Sequence, residues 1–286
     1  MEINKLATQY CPICDSSEVD VHIPINQKFS SPKIWPKMTG DIETWTFNEC
    51  KVCSHIFIDS EYYKKDYYVN RECNLNAHSH FFNIQPAYIS LFLKEIYKHT
   101  GKRKLKILDF GCSYGVKANL IAQHGHEVIG YDVAKENVDF ATEHYKIKGF
   151  SGELNELIDS IGLVDVIFSE HVFEHIPAPM KTLLSLRGIL KENGVIYISV
   201  PNFASNQVGY LPPEHLHYFN SESIYALVDS TSFWPLALYK GLPLINILHK
   251  YTNKLLPLPV IHAIDKVTTS MGFHGYSLFI YAVKFH

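Results

Sequence analysis

The sequence predicts an α/β protein in which a doubly wound, mostly parallel sheet follows a small cysteine-bearing head. Two patterns predict it. From Leu105 to Asn202, short apolar runs that read as strands alternate with amphipathic stretches that read as helices. Such alternation builds a parallel sheet covered by helices on both faces. Before it, residues 1–60 are irregular and turn-rich and hold two C-x-x-C pairs. With 286 residues, 47% of them hydrophobic, the chain can bury a sizeable core. We divide it into a head (1–60), a connector (61–84) and a main domain (85–286), the last with an apolar, proline-punctuated insertion at 241–272.

The head comes first. Of six cysteines, four form the pairs Cys11-Pro-Ile-Cys14 and Cys50-Lys-Val-Cys53, leaving Cys73 and Cys112 apart. Each pair can clamp one face of a tetrahedral Zn²⁺ through thiolates at about 2.3 Å. The long loop between the pairs is little obstacle, because closing it costs little extra per residue. Four thiolates fill all four positions and leave no open site for catalysis, so the zinc is expected to be structural and the head zinc-ribbon-like. The alternative is four unliganded buried thiols. A redox pair would need a C-x-x-C that opens a helix within a βαβ unit, and neither pair has that setting.

The N-terminus "MEINKLATQY" lacks the apolar core of a signal peptide, and no run of about 18 apolar residues could span a bilayer. The expected location is the cytoplasm, where paired cysteines serve metals rather than disulfides. A net charge of −3 leaves no basic footprint for nucleic acid. The short run "GKRKLK" (Gly101–Lys106) reads as a solvated helix end.

"DSEYYKKDYY" (Asp59–Tyr68) is a polar, tyrosine-rich connector. "PAYISLFLKEIYKHTG" then carries apolar residues at helical spacing and stops at Gly101, a C-terminal cap. Next come the strand "LKILDFG", the helix "VKANLIAQHG", the strand "HEVIGYDV" and the helix "KENVDFATEHYKI". A weak strand "KGFSG", the strand "LVDVIFSE", the helix "PMKTLLSLRGILKENG" and the strand "VIYISVPN" follow. The insertion reads as helical segments that cap the site or meet another subunit, and "YSLFIYAVKF" (Tyr276–Phe285) as a further strand. A ligand site should lie beyond the carboxyl ends of the parallel strands.

Two stretches fall there. "LDFGCSYG" (Leu108–Gly115) joins a strand to a helix through glycines that allow a tight turn and close approach of a ligand. It has no G-K-[ST], which excludes a P-loop. G-x-S-x-G with Ser113 also evokes a nucleophile elbow, but no oxyanion-loop glycine motif precedes this first strand, which argues against a hydrolase. Asp132 ends the second strand, where a carboxylate would hold a ribose diol. That logic serves both NAD and S-adenosylmethionine (SAM) sites, and the lack of full G-x-G-x-x-G spacing disfavours NAD.

"ILDFGCSYG…GYDV…DVIFSEHVFEHIPAP…LLSLRGILKENGVIYISVPN" resembles the Rossmann-like class I SAM-dependent methyltransferases, in the group that includes ubiquinone-biosynthesis O-methyltransferases. "CPIC…CKVCSHIF" is similar to the zinc-binding head of some bacterial sugar and natural-product methyltransferases. The resemblance implies that Asp109, Gly111, Cys112, Ser113 and Gly115 line the methionyl and ribose part of SAM. It implies that Asp132 takes the ribose hydroxyls, Val133 packs on adenine, and Gly152 and Glu153 lie at the adenine edge. Glu170 and His171 would sit below the methionine. The chain departs from the family at Ser113, where glycine is usual.

"SEHVFEHIPAP" (Ser169–Pro179) places Glu170, His171, Glu174 and His175 where a parallel strand runs out. A hydroxyl acceptor must lose a proton during methyl transfer, and histidine, with a pKa near 6.5, suits that task. His175 is the leading candidate for the base. The resemblance also implies a second reading, in which His171, Glu174 and His175, joined by His215 or His217 from "PPEHLHYF", hold a divalent metal; mixed imidazole and carboxylate ligands suit Zn²⁺, Fe²⁺ or Mn²⁺. A third is structural, Glu174 capping the following helix or orienting a loop. His215 and His217, two apart, point oppositely if extended, so only one should face the site. The expected activity is O-methylation of a sugar or other small metabolite, with C- and N-methylation as alternatives, the protein being an oligomer or a monomer. The rivals are a SAM-binding scaffold without turnover and an NAD-dependent oxidoreductase.

Overall fold

The computed structural model describes residues 10–24, 46–58, 85–203, 215–241 and 277–285. The connector 61–84, and the expected insertion beyond Gly241, lie outside them. The head contributes β1 (Val19–Pro24), β2 (Thr46–Cys50) and β3 (Ile56–Phe57), each antiparallel to the next. The main domain opens with α1 (Gln85–Thr100) and β4 (Lys106–Phe110). It continues through α2 (Val116–Gln123), β5 (Glu127–Tyr131), α3 (Lys135–Tyr145), β6 (Lys148–Phe150), α4 (Leu154–Ile161) and β7 (Val164–Glu170). A 3₁₀ turn (Phe173–His175), α5 (Pro179–Gly188), β8 (Leu190–Pro201), β9 (His217–Tyr218), α6 (Ser221–Ser230), β10 (Phe233–Gly241) and β11 (Ser277–Lys284) complete it.

The main sheet runs β10–β11–β8–β7–β4–β5–β6. Its five strands from β8 to β6 are parallel, while β11 is antiparallel to β8 and β10 to β11. The chain winds outward from β4 to β6, then returns to β7 on the other side of β4. That reversal opens the crevice in which such sheets bind ligands. Alternate residues of the central strands serve opposite layers. Leu108 and Phe110 pack with Leu157 of α4, Leu183 of α5 and Leu227 of α6. Ile107 packs with Ile89 and Phe92 of α1 and Ile121 of α2.

Helix α1 ends as its sequence directs, with Gly101 at φ +64° and its N–H donating to Tyr97 O at 3.1 Å. The lysine run beyond it has a structural use. Asp165, at the amino end of β7, accepts from Lys102 Nζ at 2.6 Å, Lys106 N–H at 2.9 Å and Lys191 Nζ at 3.0 Å.

Four features differ from the sequence reading. Among its described residues the head is not irregular but holds three short strands. Helix α5 stops at Gly188 rather than running on to Gly194, because Leu190 is buried and pairs with Val164, drawing the chain into the sheet early. Helices α4 and α6 were not foreseen; α6 starts at a capping box in which the Asn220 side chain accepts from Ser223 N–H at 2.8 Å. Strand β10 was hidden by Pro235, which the fold tolerates because β10 is an edge strand with a register shift between Pro235 and Ala237.

Candidate active site

The chain leaves β4 through a turn built by backbone constraints. Gly111 has φ +84°, and a Cβ there would lie 2.1 Å from Val172 Cγ2. Gly115 has φ +75°, and its Cβ would lie 2.5 Å from that of Ala141. Ser113, between them, also occupies the left-handed region at φ 49°, which explains why glycine is at home there. The N–H groups of Gly111 and Cys112 both donate to Tyr131 O at 2.8 Å, pinning the turn to the end of β5.

Asp132 locks the two strand ends together. Its Oδ2 accepts from Ser113 N–H at 2.9 Å; its Oδ1 accepts from Ala134 N–H at 2.9 Å and from Asn137 Nδ2 at 3.4 Å. A carboxylate offers about four lone-pair sites, so capacity remains for a hydroxyl donor. Val133 beside it is exposed. Gly152, at φ +136°, and Glu153 form the turn into α4, and Tyr131 Oη donates to Gly152 O at 2.9 Å, tying this turn to the same edge. Cys112 presents its backbone, not its thiol, to the turn. Its thiol packs down on Gly130, where a Cβ would come within 2.9 Å of Sγ, so only its backbone belongs to the turn.

Beneath the turn, Asp109 is 2% exposed and its Oδ2 has no hydrogen-bond partner among the described residues. Burial pushes its carboxyl up to about 7, against the pull of Lys117. Lys117 Nζ lies 3.2 Å from Glu170 Oε2 and so joins the first turn of α2 to the end of β7. The sequence reading missed Lys117. A cation in the first turn of a helix opposes the dipole there, and that is the signal that marks it. The glycine cradle, the orphaned Asp109 oxygen and the held Asp132 carboxylate fit SAM, with its ribose diol and amino-acid end.

The turn after β7 is held by charge. His171 adopts φ 56°, and its N–H donates to Ser199 O at 2.9 Å. Glu174 is 1% exposed; its Oε1 lies 3.2 Å from His171 Nδ1 and 3.8 Å from His175 Nε2. Burial favours a neutral Glu174, but the facing His175, His171 and His215 more than reverse this and hold its carboxyl at about 2. Burial works against a charged His171 too, yet the Glu174 bond and charge raise its pKa above the ordinary histidine value. The His215 ring meets that of His175 edge-on at 4.6 Å, and burial pushes His215 down to about 3. Glu174, His175 and His215 offer ligand atoms within 4.8 Å of one another, and His171 is outside that set. His217 turns the other way and has both ring nitrogens engaged, Nε2 donating to Ile176 O at 2.8 Å and Nδ1 lying 3.0 Å from His55 Nε2. It cannot also ligate a metal or take a substrate proton.

In the head, Cys11, Cys14, Cys50 and Cys53 converge, with their sulfurs within 4.8 Å of one another. The Cys11–Cys53 and Cys14–Cys50 separations are 3.6 and 3.7 Å. A tetrahedron of sulfurs about 2.3 Å from a central Zn²⁺ has edges of about 3.8 Å, so the set fits that ion. The hydrogen bond from Cys53 lowers the Cys11 thiol to about 6, while burial raises Cys14 to about 11.

A family model described as a methyltransferase domain matches residues 81–235, more than half of the chain. Similar curated proteins include the ubiquinone biosynthesis O-methyltransferases of Rickettsia felis and Rickettsia conorii. The first is 31% identical over 124 residues, covering 42% of this chain and 51% of that protein. The second is 34% identical over 103 residues, covering 35% and 36%. The chain thus spans about half the length, or less, of the curated relatives it matches. Among solved structures, a SAM-dependent methyltransferase from Archaeoglobus fulgidus aligns with a TM-score of 0.53 at 20% identity, over 73% of this chain and 99% of that one. One from Clostridium acetobutylicum aligns with a TM-score of 0.53 at 10% identity, over 74% and 99%. At such identities the likeness is one of fold, and the fold shared is that of the seven-stranded sheet.

Proposed function

The chain belongs to the methyltransferase-domain family, and we propose that it methylates a hydroxyl group of a small metabolite, with SAM as the methyl donor. Sugars and hydroxylated aromatic rings are the acceptor classes to try first; the ubiquinone-biosynthesis relatives favour the second. The observation that carries the reading is the contact between the two turns. Val172 packs on Gly111 and so sets the Glu174–His171 pair against the glycine cradle. When bound, SAM supplies a methyl group made electrophilic by its sulfonium. Asp132 holds the ribose hydroxyls, Val133 packs on the adenine with Gly152 and Glu153 at its edge, and Asp109 meets the amino-acid end.

The proton of the acceptor hydroxyl goes to an imidazole. His171 has the better geometry, because Glu174 holds its Nδ1 at 3.2 Å and leaves Nε2 to accept. His175, the sequence-based choice, lies 3.8 Å from the same carboxylate oxygen and is the second candidate. Purified protein incubated with methyl-labelled SAM and a panel of hydroxylated sugars and phenols tests the reading. Label should reach at least one acceptor, and His171→Ala should lower turnover by about 10²–10⁴-fold while SAM affinity stays constant. SAM binding without transfer to any acceptor would favour a scaffold, and a thermal shift with NAD in place of SAM an oxidoreductase.

A second reading has its own observation, the convergence of Glu174, His175 and His215. A divalent ion there would bind the acceptor hydroxyl and lower its pKa. Calorimetric titration with Mn²⁺ decides it: His215→Ala should remove a binding event seen in the unaltered protein. We also propose a structural Zn²⁺ at Cys11, Cys14, Cys50 and Cys53. About one zinc per chain should be measured by elemental analysis, and lost when Cys11 and Cys14 become serine. Reduced thiols of this kind suit a cytoplasmic location. Among the described residues no helix is long and apolar enough to cross a membrane.

A further inference from the structure

The head and the Glu174 turn are far apart in sequence, but they are joined by a continuous set of directional bonds. Strand β9 pairs with β3, Ile56 opposite Tyr218 and Phe57 opposite His217, so the head's sheet extends into the main domain. Leu216 bridges the two sides: its N–H donates to Glu174 O at 2.8 Å, and its carbonyl accepts from Ile58 N–H at 3.0 Å. Asn220 Nδ2 donates to Ser54 O at 2.7 Å. Beside this backbone link runs a side-chain link, from His55 through His217 to the carbonyl of Ile176, just after the turn.

The chemistry fixes its direction. A carbonyl only accepts, so His217 Nε2 carries a proton; in the neutral ring Nδ1 is then an acceptor, and His55 Nε2 must donate. Both rings are buried, at 0% and 3% exposure. They stack among Phe57 and Phe219, where phenylalanine would pack as well without the cost of burying polar nitrogens. What the imidazoles add is orientation. The far end is anchored at the cysteines, since Cys50 N–H donates to His55 O at 2.9 Å and Ser54 N–H to Cys50 O at 2.9 Å.

We propose that the four-cysteine head is a positioning device for the turn that carries Glu174 and His175, and that His217 and His55 are its positioning residues. The proposal rests on the assignment of that turn to the reaction centre. Neither imidazole touches substrate; each holds the turn at one height relative to the glycine cradle, so the Glu174 carboxylate stays aligned with His171.

Hydrogen exchange of the 286-residue, zinc-loaded chain, read by mass spectrometry, tests this without any acceptor. In His217→Phe, the amides of His175 and Leu216 should exchange at least about tenfold faster. Those of β4 and β5 should be unchanged, zinc content should be retained, and SAM affinity should stay within about twofold. His217→Gln keeps an N–H donor toward Ile176 and should restore most of the protection. His55→Phe should repeat the effect, and serves if His217→Phe does not fold. Unchanged exchange in the turn would overturn the proposal, and so would an equal rise in β4 and β5, which would mark the histidines as general packing. Failure of the glutamine variant to protect would do the same. Full activity of both His171→Ala and Glu174→Gln would instead remove the chemical role of the turn, an outcome separate from the exchange result.

Discussion

The turns that follow β4 and β7 lie against each other at the carboxyl edge of the sheet, yet they are held in opposite ways. The first is shaped by backbone sterics: two glycines at positive φ, each with no room for a Cβ, and main-chain donors to Tyr131 O. The second is shaped by charge, a carboxylate 1% exposed among three histidines. A backbone-built turn is the same whatever the pH and presents a ready cradle. A charge-built turn depends on protonation, which suits the proposed role of its histidines as proton acceptors.

The comparison breaks most visibly at Gly111. Adding a Cβ forces a left-handed alanine, at about 1–2 kcal/mol, and pushes a methyl into Val172, at about 1–3 kcal/mol. Gly111→Ala should therefore lose about 2–5 kcal/mol of unfolding free energy and drive the two turns apart, with SAM binding too weak to detect by calorimetry. A variant as stable as the parent and still binding SAM would show that the cradle is looser than its packing indicates.

Glu174→Gln keeps the shape of the second turn and removes its charge. The carboxyl sits at about 2 in the fold against an ordinary 4.5. Its contribution, on the order of 3 kcal/mol, is therefore full above pH 4.5 and fades as pH falls toward 2. His171 is raised above 6.5, so its contribution is full below that value and is lost as pH climbs through its folded pKa. Denaturant unfolding should show the largest gap between parent and Glu174→Gln between pH 4.5 and 6.5. Gly111→Ala should show a gap independent of pH. Parallel stability curves for parent and Glu174→Gln would remove charge as the organising force.

The same contrast explains what the sequence disclosed. The glycine turn was legible because it is local: "LDFGCSYG" and Asp132 announce a strand end, a sterically special turn and a carboxylate within one βαβ unit. The parallel strands were legible for the same reason. The partners of the second turn were not. Lys117 reaches Glu170 from another helix, His215 arrives from beyond β8, and the direction each ring faces is set by β9 docking on the head. The two-residue spacing did separate His215 from His217, but which one faced inward needed the fold. Within the cluster, spacing could not show that Glu174 would bond His171 more closely than His175.

Asp132 sits on the border between the two kinds of turn, since a charged side chain there completes a backbone-built site. Asp132→Ala removes the proposed ribose acceptor and frees the Ser113 and Ala134 N–H groups, so SAM affinity should fall about tenfold to a hundredfold, or about 1.5–3 kcal/mol. Asp132→Asn retains one acceptor oxygen and should lie between. Equal SAM affinity in all three proteins would take Asp132 out of the ligand site.

The smallest expected effect gives the finest test, because Ser113 and His171 are the non-glycine residues in the left-handed region at the two turns, at φ 49° and 56°. A left-handed L-residue costs about 1–2 kcal/mol, whereas glycine returns about 0.4–1 kcal/mol of that through the greater freedom of the unfolded chain. Ser113→Gly should therefore raise stability by about 0.5 kcal/mol. If the turn works through its backbone alone, SAM affinity should not change, for the Ser113 N–H that Asp132 accepts is kept. His171→Gly relieves similar strain but deletes the ring bonded to Glu174, so it should be no more stable than the parent and should lose turnover. A drop in SAM affinity for Ser113→Gly would assign the hydroxyl a ligand contact, and the first turn would then join the second in depending on a side chain placed under strain.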